Sequence, residues 1–526
     1  MEQQLPSHYQ SKFVNNIPIA LTFDDVLLVP QYSEVETRTS CLVQSRFSKN
    51  VPLKIPIVSS PMDTVTEAKL AKEMARCGGL GIIHRFMSIE EQAQQIYQVK
   101  RAQSRVILEP VVVSKDTTFA QMREIVAKNT FQTFLVVNTS IDEKLGSPQK
   151  LPSRKKSVNP EVFNKQLVGI ITKRDLKNFR FEDETVEKYM TKRENLLVVE
   201  VNATCNSDFD ESQIGNNKIL LEKMYEKRIE KLPVVTKNNC IVGLVTRKDM
   251  EREYNIPLAN KDKNGQLLVG AAVGANKDYI ERAKKLIDAG CNALVVDVAN
   301  GHSTIAIKAV QMLKEQFEDI DVVAGSIASG QGAEQLIKAG ADGIRCGIGN
   351  GSICITRIVA GSGVPQLSAL LDVAPICKQY DVPLISDGGN KCSGNMAKAL
   401  AAGADCIMVG RLVAGTDESP SSIIFRDGKI MKVYRGMAGY GANFAKATRI
   451  GDSVPETDKF TPEGVEGYTP YSGPLNGVLS GFVQGIKSGM SYSGAFNIKE
   501  FQQKAQFIRI TQSGYKESNV HSVNKI

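Results

Sequence analysis

The stretch GNGSICITR, Gly349 to Arg357, sets Cys354 behind two closely spaced glycines and just ahead of Thr356. A core cysteine has no need of such an approach. A thiol that must meet a bound phosphate or base does, because glycine lets the backbone come close to a ligand. As a thiolate it would be a nucleophile. Metal chemistry is less expected. The ten cysteines form no C-x-x-C pair, and the four histidines, His8, His84, His302 and His521, are far apart in sequence. A disulfide framework is not expected either, and most cysteines should be reduced and structural.

Positioning such a thiol requires a rigid frame, and the second half of the chain supplies its pattern. ALVVDVANG follows AKKLIDAGCN, GIRCGIGNG follows AEQLIKAGAD, and CIMVGRLVAG follows MAKALAAGAD, so a helix–turn–strand–glycine unit recurs about every fifty to sixty residues. DVVAGSIAS and VPLISDGG are further short strands that end in small-residue turns. Strand, loop and helix in alternation predict parallel βα units. Glycines and aspartates at strand ends fit an α/β fold of the (β/α)8 TIM-barrel kind, with its chemistry on the loops at the strand C-termini. A doubly wound open sheet is the alternative, but no G-x-G-x-x-G opens a first βαβ unit.

The barrel pattern starts within the first hundred residues, in IPIVSSPMDTVTEAKLAKEMARCGGLGIIHRF, and is then interrupted. LVGIITKRDLK (Leu167–Lys177) and IVGLVTRKDME (Ile241–Glu251) are two copies of one pattern. This internal duplication places an inserted tandem domain at 107–252, with copies at about 107–180 and 185–252, between the second and third βα units. Residues 1–106 and 253–526 are left for the barrel. The stretch GSPQKLPSRKKSVNPEVFNKQ inside the first copy is polar and lysine-rich, and is expected to be a solvated, mobile insertion rather than a basic binding patch.

The chain has 526 residues, 65 basic and 57 acidic, and a net charge of +8. Over this length the excess is mild, suiting small anionic ligands rather than nucleic acid. No run of 18 apolar residues predicts a membrane span, and MEQQLPSHYQSKF at the N-terminus lacks an apolar signal core. A cytoplasmic location is expected.

SSPMDTVTE (Ser59–Glu67), GSICITR, SDGG (Ser386–Gly389) and YRGM (Tyr434–Met437), in this order on one barrel, resemble the IMP dehydrogenase/GMP reductase family over nearly the whole chain. The duplicated insert resembles paired cystathionine-β-synthase (CBS) modules, which in that family bind regulatory purine nucleotides. The resemblance implies that Cys354 attacks C2 of a purine mononucleotide, GMP or IMP. It implies phosphate contacts from Ser352, Gly388, Gly389, Gly410 and Arg411, and ribose contacts from Asp387. Purine contacts would come from Tyr434, Gly436 and Met437, with Ser60 and Met62 in the same substrate site. Arg411 stands where the family has a small residue; it either adds charge to the phosphate site or points outward.

Asp297, Ala299, Gly347 and Gly349 are implied on the nicotinamide side, with helix capping the plainer alternative for Asp297. Ser326 departs from the family's AGN turn, which puts one nicotinamide-side contact in doubt. A potassium ion is implied at the carbonyls of Gly349, Gly351 and Cys354, completed by Glu517, Ser518 and Asn519 of a neighbouring subunit. Homotetramers, or octamers joined through the CBS modules, follow from the same resemblance.

The two activities of this family share a covalent thioimidate. The dehydrogenase oxidises IMP with NAD and must then activate water, for which the family uses an Arg-Tyr pair on a flap. The reductase expels ammonia from GMP and takes a hydride from NADPH. Here the flap stretch, Met437–Gly467, has Arg449 followed by Ile450, with no Arg-Tyr pair. RGMAGYGAN is similar to the flap entry of kinetoplastid reductases. The insert and EGVEGYTPYSGPL instead match the dehydrogenase arrangement. The reading is NADP(H)-dependent GMP reductase, with NAD-dependent IMP dehydrogenase as the alternative. Thr356 and Glu463 would deliver the proton to ammonia; in the alternative they, or Arg449, would activate water. Thr356 could also simply start a helix. A nucleotide-sensing scaffold with a dead barrel would be expected to lack Cys354. A Schiff-base barrel enzyme would need a strand-end lysine that these motifs do not contain.

Overall fold

Eight short parallel strands close into a barrel in the computed structural model, which describes residues 18–103, 106–107, 110–128, 133–138, 165–203, 214, 217–254, 258–263, 265–276, 278–451 and 461–520. The strands are β1 (Ile57–Ser59), β2 (Leu80–Ile83), β3 (Gly270–Val273), β4 (Ala293–Asp297), β5 (Asp321–Ile327), β6 (Gly343–Cys346), β7 (Leu384–Asp387) and β8 (Cys406–Val409). They run in chain order around the barrel, and β8 returns to β1 with Ile407 beside Ile57. Both faces of each strand are covered, which is why they read as continuous valine, isoleucine and leucine runs rather than alternating ones. The expected TIM barrel is the observed fold.

The helices between strands are amphipathic. Ala68–Arg76 buries Ala68, Leu70, Ala71, Met74 and Ala75 and turns Lys69, Lys72 and Glu73 away from that face. Gly330–Lys338 is capped by the Ser329 hydroxyl, which accepts from the Gly332 amide. Beyond β8, strands 423–426, 429–435 and 466–470 form an antiparallel sheet, and the helix Tyr440–Ile450 lies between its last two strands in sequence. None of the described helices is long and apolar enough to cross a membrane.

The chain divides into two compact units. One is 1–96 with 269–286 and 291–526; the other is 97–268 with 287–290. The second unit repeats one motif. Strand 112–114, helix 119–128 and strands 133–137 and 167–172 are matched by strand 199–201, helix 217–226 and strands 231–236 and 241–246. In each copy the first pairing is parallel and the second antiparallel. Val112, Leu135 and Leu167 of one copy share a core with Val235, Ile241 and Leu244 of the other. The duplication seen in the sequence is thus a pair of structural repeats with a common core. Nearly all of the polar insertion between 145 and 166 lies outside the described residues.

Candidate active site

A cavity of about 480 Å³ opens at the C-terminal ends of the barrel strands. Cys354 stands in its wall on the loop after β6. Its thiol donates to the Thr356 hydroxyl at 3.2 Å, and that hydroxyl donates to Glu463 Oε2 at 2.7 Å. Backbone pairing holds the relay in place. The Ile355 amide donates to the Glu463 carbonyl at 2.8 Å, and the Glu463 amide donates to the Ala438 carbonyl at 3.0 Å. A thiol, a hydroxyl and a carboxylate therefore form one proton path from the barrel loop to the segment that precedes strand 466–470.

The glycines beside Cys354 are required by close approach. A Cβ on Gly347 would sit 2.0 Å from the Asp387 carbonyl oxygen, so the loops after β6 and β7 touch backbone to backbone. Gly388 and Gly389 follow at φ +80° and +74°, conformations that favour glycine. Asn350 ties these turns together. Its carbonyl accepts from the Gly389 amide at 3.0 Å and its Nδ2 donates to the Asp387 carbonyl at 3.1 Å. Nearby, the Tyr434 hydroxyl bonds the Ser352 side chain and accepts from the Arg411 amide; burial pushes its pKa up. Arg411 also lines the cavity, so the residue that departs from the family pattern does stand in the site. Ser60, Met62, Gly410, Gly436 and Met437 border the same space.

On the other side of the pocket stands a residue that sequence reasoning missed. Arg345, on β6, donates from Nη1 to Asp297 Oδ1 at 2.6 Å and from Nε to Asp387 Oδ2 at 2.8 Å. It joins the carboxylate expected on the cofactor side to the one expected on the ribose. Burial works against the charges of Arg345 and Asp297, but each outweighs it for the other. The guanidinium is held above its ordinary range, with Asp387 contributing, and Asp297 is held below its own, with Arg85 contributing. The available signal was an arginine inside an otherwise apolar strand, GIRC, which must find a counter-charge when buried. Arg85, Phe86, Asn350 and Ser326 also line the pocket, as do Ala299, Gly349 and Gly351.

Two groups named from the sequence lie outside the cavity of this chain. Arg449 makes ion pairs with Glu91 and Glu67 and is not among the pocket residues. The reason is local: at the end of the helix Tyr440–Ile450 it meets two carboxylates that satisfy its guanidinium. Glu517 ends the helix Gln512–Glu517, and neither it nor Ser518 nor Asn519 lines the pocket of this chain.

A closed βα barrel with a pocket at the C-terminal ends of its strands, lined by Cys354, Thr356 and Glu463, is the arrangement of a barrel enzyme. A sequence model of the IMP dehydrogenase / GMP reductase domain matches residues 20–521, and the chain belongs to that family. It is therefore an oxidoreductase of purine nucleotides whose family uses a nicotinamide cofactor. It is 44% identical over 506 residues to inosine-5'-monophosphate dehydrogenase of Aquifex aeolicus, covering 96% of this chain and 95% of that one. It is 42% identical over 519 residues to GMP reductase of Leishmania major, covering 97% and 98%. Among solved structures, a cysteine-to-alanine variant of GMP reductase from Trypanosoma brucei in complex with guanosine 5'-monophosphate matches with a TM-score of 0.82 and 42% identity, over 97% of this chain and 99% of that one.

Proposed function

We propose that this protein is an NADPH-dependent GMP reductase. The observation that carries the reading is the Cys354–Thr356–Glu463 relay at the pocket, with Arg449 engaged outside it. The Cys354 thiolate adds to C2 of the guanine ring. Glu463 then passes a proton through the Thr356 hydroxyl to the departing 2-amino group, which leaves as ammonia. NADPH, when bound, supplies a hydride to C2. The carbon–sulfur bond breaks, Cys354 is regenerated, and IMP is released. The hydride thus takes the place of the amino group on C2, and the proton departs with it in ammonia.

The side chains present suit this chemistry. Asp387 at a strand end accepts from ribose hydroxyls. The amides around Gly388, Gly389, Gly410 and Arg411, with the Ser352 hydroxyl, cradle the phosphate. Tyr434, Gly436 and Met437 border the purine, with Ser60 and Met62 beside them. Asp297, Ala299, Gly347 and Gly349 face the nicotinamide, beside an aromatic ring and a cation, Phe86 and Arg85. A potassium ion would use the carbonyls of Gly349, Gly351 and Cys354, with Glu517, Ser518 and Asn519 of a neighbouring subunit in a tetramer or octamer. Residues 107–252 are read as tandem CBS modules that bind regulatory purine nucleotides; the matched repeats of the second unit support this.

IMP dehydrogenase is the second reading, favoured by the 44% identity to such an enzyme. It needs a group to activate water, either the Thr356–Glu463 pair or Arg449, and Arg449 is paired with Glu67 and Glu91 outside the pocket. Absorbance at the nicotinamide wavelength separates the two. With GMP and NADPH it should fall as ammonia appears, and Cys354→Ala should bind GMP without turnover. A rise only with IMP, NAD and potassium, with XMP formed, would instead establish the dehydrogenase. Repeating both assays with adenine and guanine nucleotides tests regulation.

A further inference from the structure

The loop that follows β1 borders the pocket through Ser60, Pro61 and Met62, and its next residues turn to the segment 435–449. Asp63 Oδ2 accepts from Arg435 Nε at 2.9 Å and from its Nη2. The Asp63 amide lies 3.3 Å from Met437 Sδ, and the Arg435 amide donates to the Thr64 hydroxyl at 3.3 Å. At the end of the same loop, Glu67 Oε1 accepts from Arg449 Nη1 at 2.9 Å. Arg449 Nε also donates to both oxygens of Glu91, at 3.0 and 2.9 Å. One loop thus grips both ends of one segment.

What lies between the grips is pocket wall. Met437, Ala438 and Asn443 line the cavity, and Asn443 Nδ2 donates to the carbonyls of Met437 and Gly439 at 3.1 and 2.9 Å. Glu67 reaches further. It accepts from Gln95 Nε2 at 3.3 Å and faces His84 Nε2 at 3.3 Å. The Phe86 amide donates to His84 Nδ1, which leaves the ring proton on Nε2, directed at Glu67. Phe86 lines the pocket, and the Lys446 ammonium of the helix lies 5.4 Å from its ring centre. Glu67 is therefore joined to the purine loop, the Arg85–Phe86 loop and the helix Tyr440–Ile450 at once.

We propose that Asp63 and Glu67 are positioning residues that clamp segment 435–449, so that a mononucleotide seated against Ser60 and Met62 fixes the wall the nicotinamide nucleotide meets. The inference rests on reading the cavity as a nucleotide site and holds for either of the two activities. The two clamps differ. The Asp63 side chain is 6% exposed, whereas Arg449 and Glu91 are 31% and 39% exposed. The inner clamp is a fixed part of the site, and the outer one is the reversible latch.

Amide hydrogen exchange by mass spectrometry on the full-length protein tests this, using the wild type, Arg449→Met, Glu67→Gln and Glu91→Gln. Each is measured alone and with GMP or IMP, without cofactor. The expected result is that the variants speed exchange in 440–450, leave β4–β7 unchanged, and respond to nucleotide less than the wild type does. In steady state, Arg449→Met should raise KM for the nicotinamide nucleotide about 3–10-fold, with the mononucleotide Kd within about twofold, and Arg449→Lys should recover most of it. Unchanged exchange in 440–450 in all three variants would overturn the clamp. So would a rise in the mononucleotide Kd equal to the rise in KM. Failure of GMP reduction leaves the exchange readout intact, so the clamp and the choice of reaction are tested separately.

Discussion

Two arginines in this enzyme each sit between two carboxylates, and they do different things. Arg345 on β6 bridges Asp297 at the end of β4 and Asp387 at the end of β7, with side chains 12%, 18% and 20% exposed. Arg449 bridges Glu67 and Glu91 at a helix end, with 31%, 21% and 39% exposed. The chemical motif is the same and the solvent is not. Around Arg345 less water reaches the charges, and removing one partner leaves a largely buried charge without its counter-charge. Where water reaches the pair, it is screened and worth about 1 kcal/mol or less. The first arrangement fixes geometry, and the second can open.

The sharpest way to break this contrast is Arg345→Met. It leaves two carboxylates facing each other in the pocket and should cost about 3–5 kcal/mol of stability in urea unfolding. It should also lower kcat/KM on the order of 10²-fold, because both ligand-binding carboxylates lose their orientation. Splitting the triad comes next. Asp387→Asn should weaken the mononucleotide about 10–100-fold by calorimetry, the loss of charged hydrogen bonds to a ribose. Asp297→Asn should act on KM for the nicotinamide nucleotide instead. Ionic strength gives a smaller effect. Raising it with choline chloride at fixed potassium shrinks the screening length from about 10 Å to about 3 Å. KM for the nicotinamide nucleotide should then rise in the wild type and stay level in Arg449→Met.

A third buried carboxylate sharpens the comparison by lacking such a bridge. Burial pushes Asp405 up to about 6, although the Leu384 amide donates to it at 2.8 Å. Its folded pKa lies above its unfolded one. Its contribution is therefore fully present below the ordinary carboxylate range and is lost as pH rises through about 6. Asp405→Asn should flatten the fall in stability between about pH 4 and 6, a gain on the order of 1 kcal/mol at neutral pH. Asp297, held down by its arginines, should show the opposite slope at lower pH: the stability it contributes is lost as pH falls through its lowered pKa.

The barrel was legible because each βα unit carries its own punctuation. Apolar runs such as ALVVD end in Asp or Gly where the loop turns to the site, and that pattern is local. Cys354 stood out because of the glycines before it, and the loop does pack tightly, with Gly347 against the Asp387 backbone. The partners of the charged residues were not legible. Nothing near Arg345 in sequence points to Asp297 or Asp387, and its strand reads as core. Arg449 drew attention as the basic residue of an incomplete pair. Its engagement with Glu67 and Glu91 depends on where a helix far along the chain comes to rest. The duplication placed the insert at 107–252, whereas the second compact unit runs from Tyr97 to Leu268 and adds Ile287–Gly290. The repeat motif marks only the segments that are copied, not the helix end before them or the stretch after.

The closure of the barrel has a consequence for biosynthesis. β1 pairs with β8, Ile57 beside Ile407, so the first strand leaves the ribosome with one edge that stays bare until most of the chain has been translated. β2 waits similarly for β3, whose Gly270 it meets through Ile82 only after the whole insert has been made. Residues 97–268 are contiguous, and their paired repeats share a core of their own. In a growing chain these residues are made while the barrel still lacks six strands, with only Ile287–Gly290 of their unit to follow, so the nascent protein carries a nearly finished module behind an unfinished barrel.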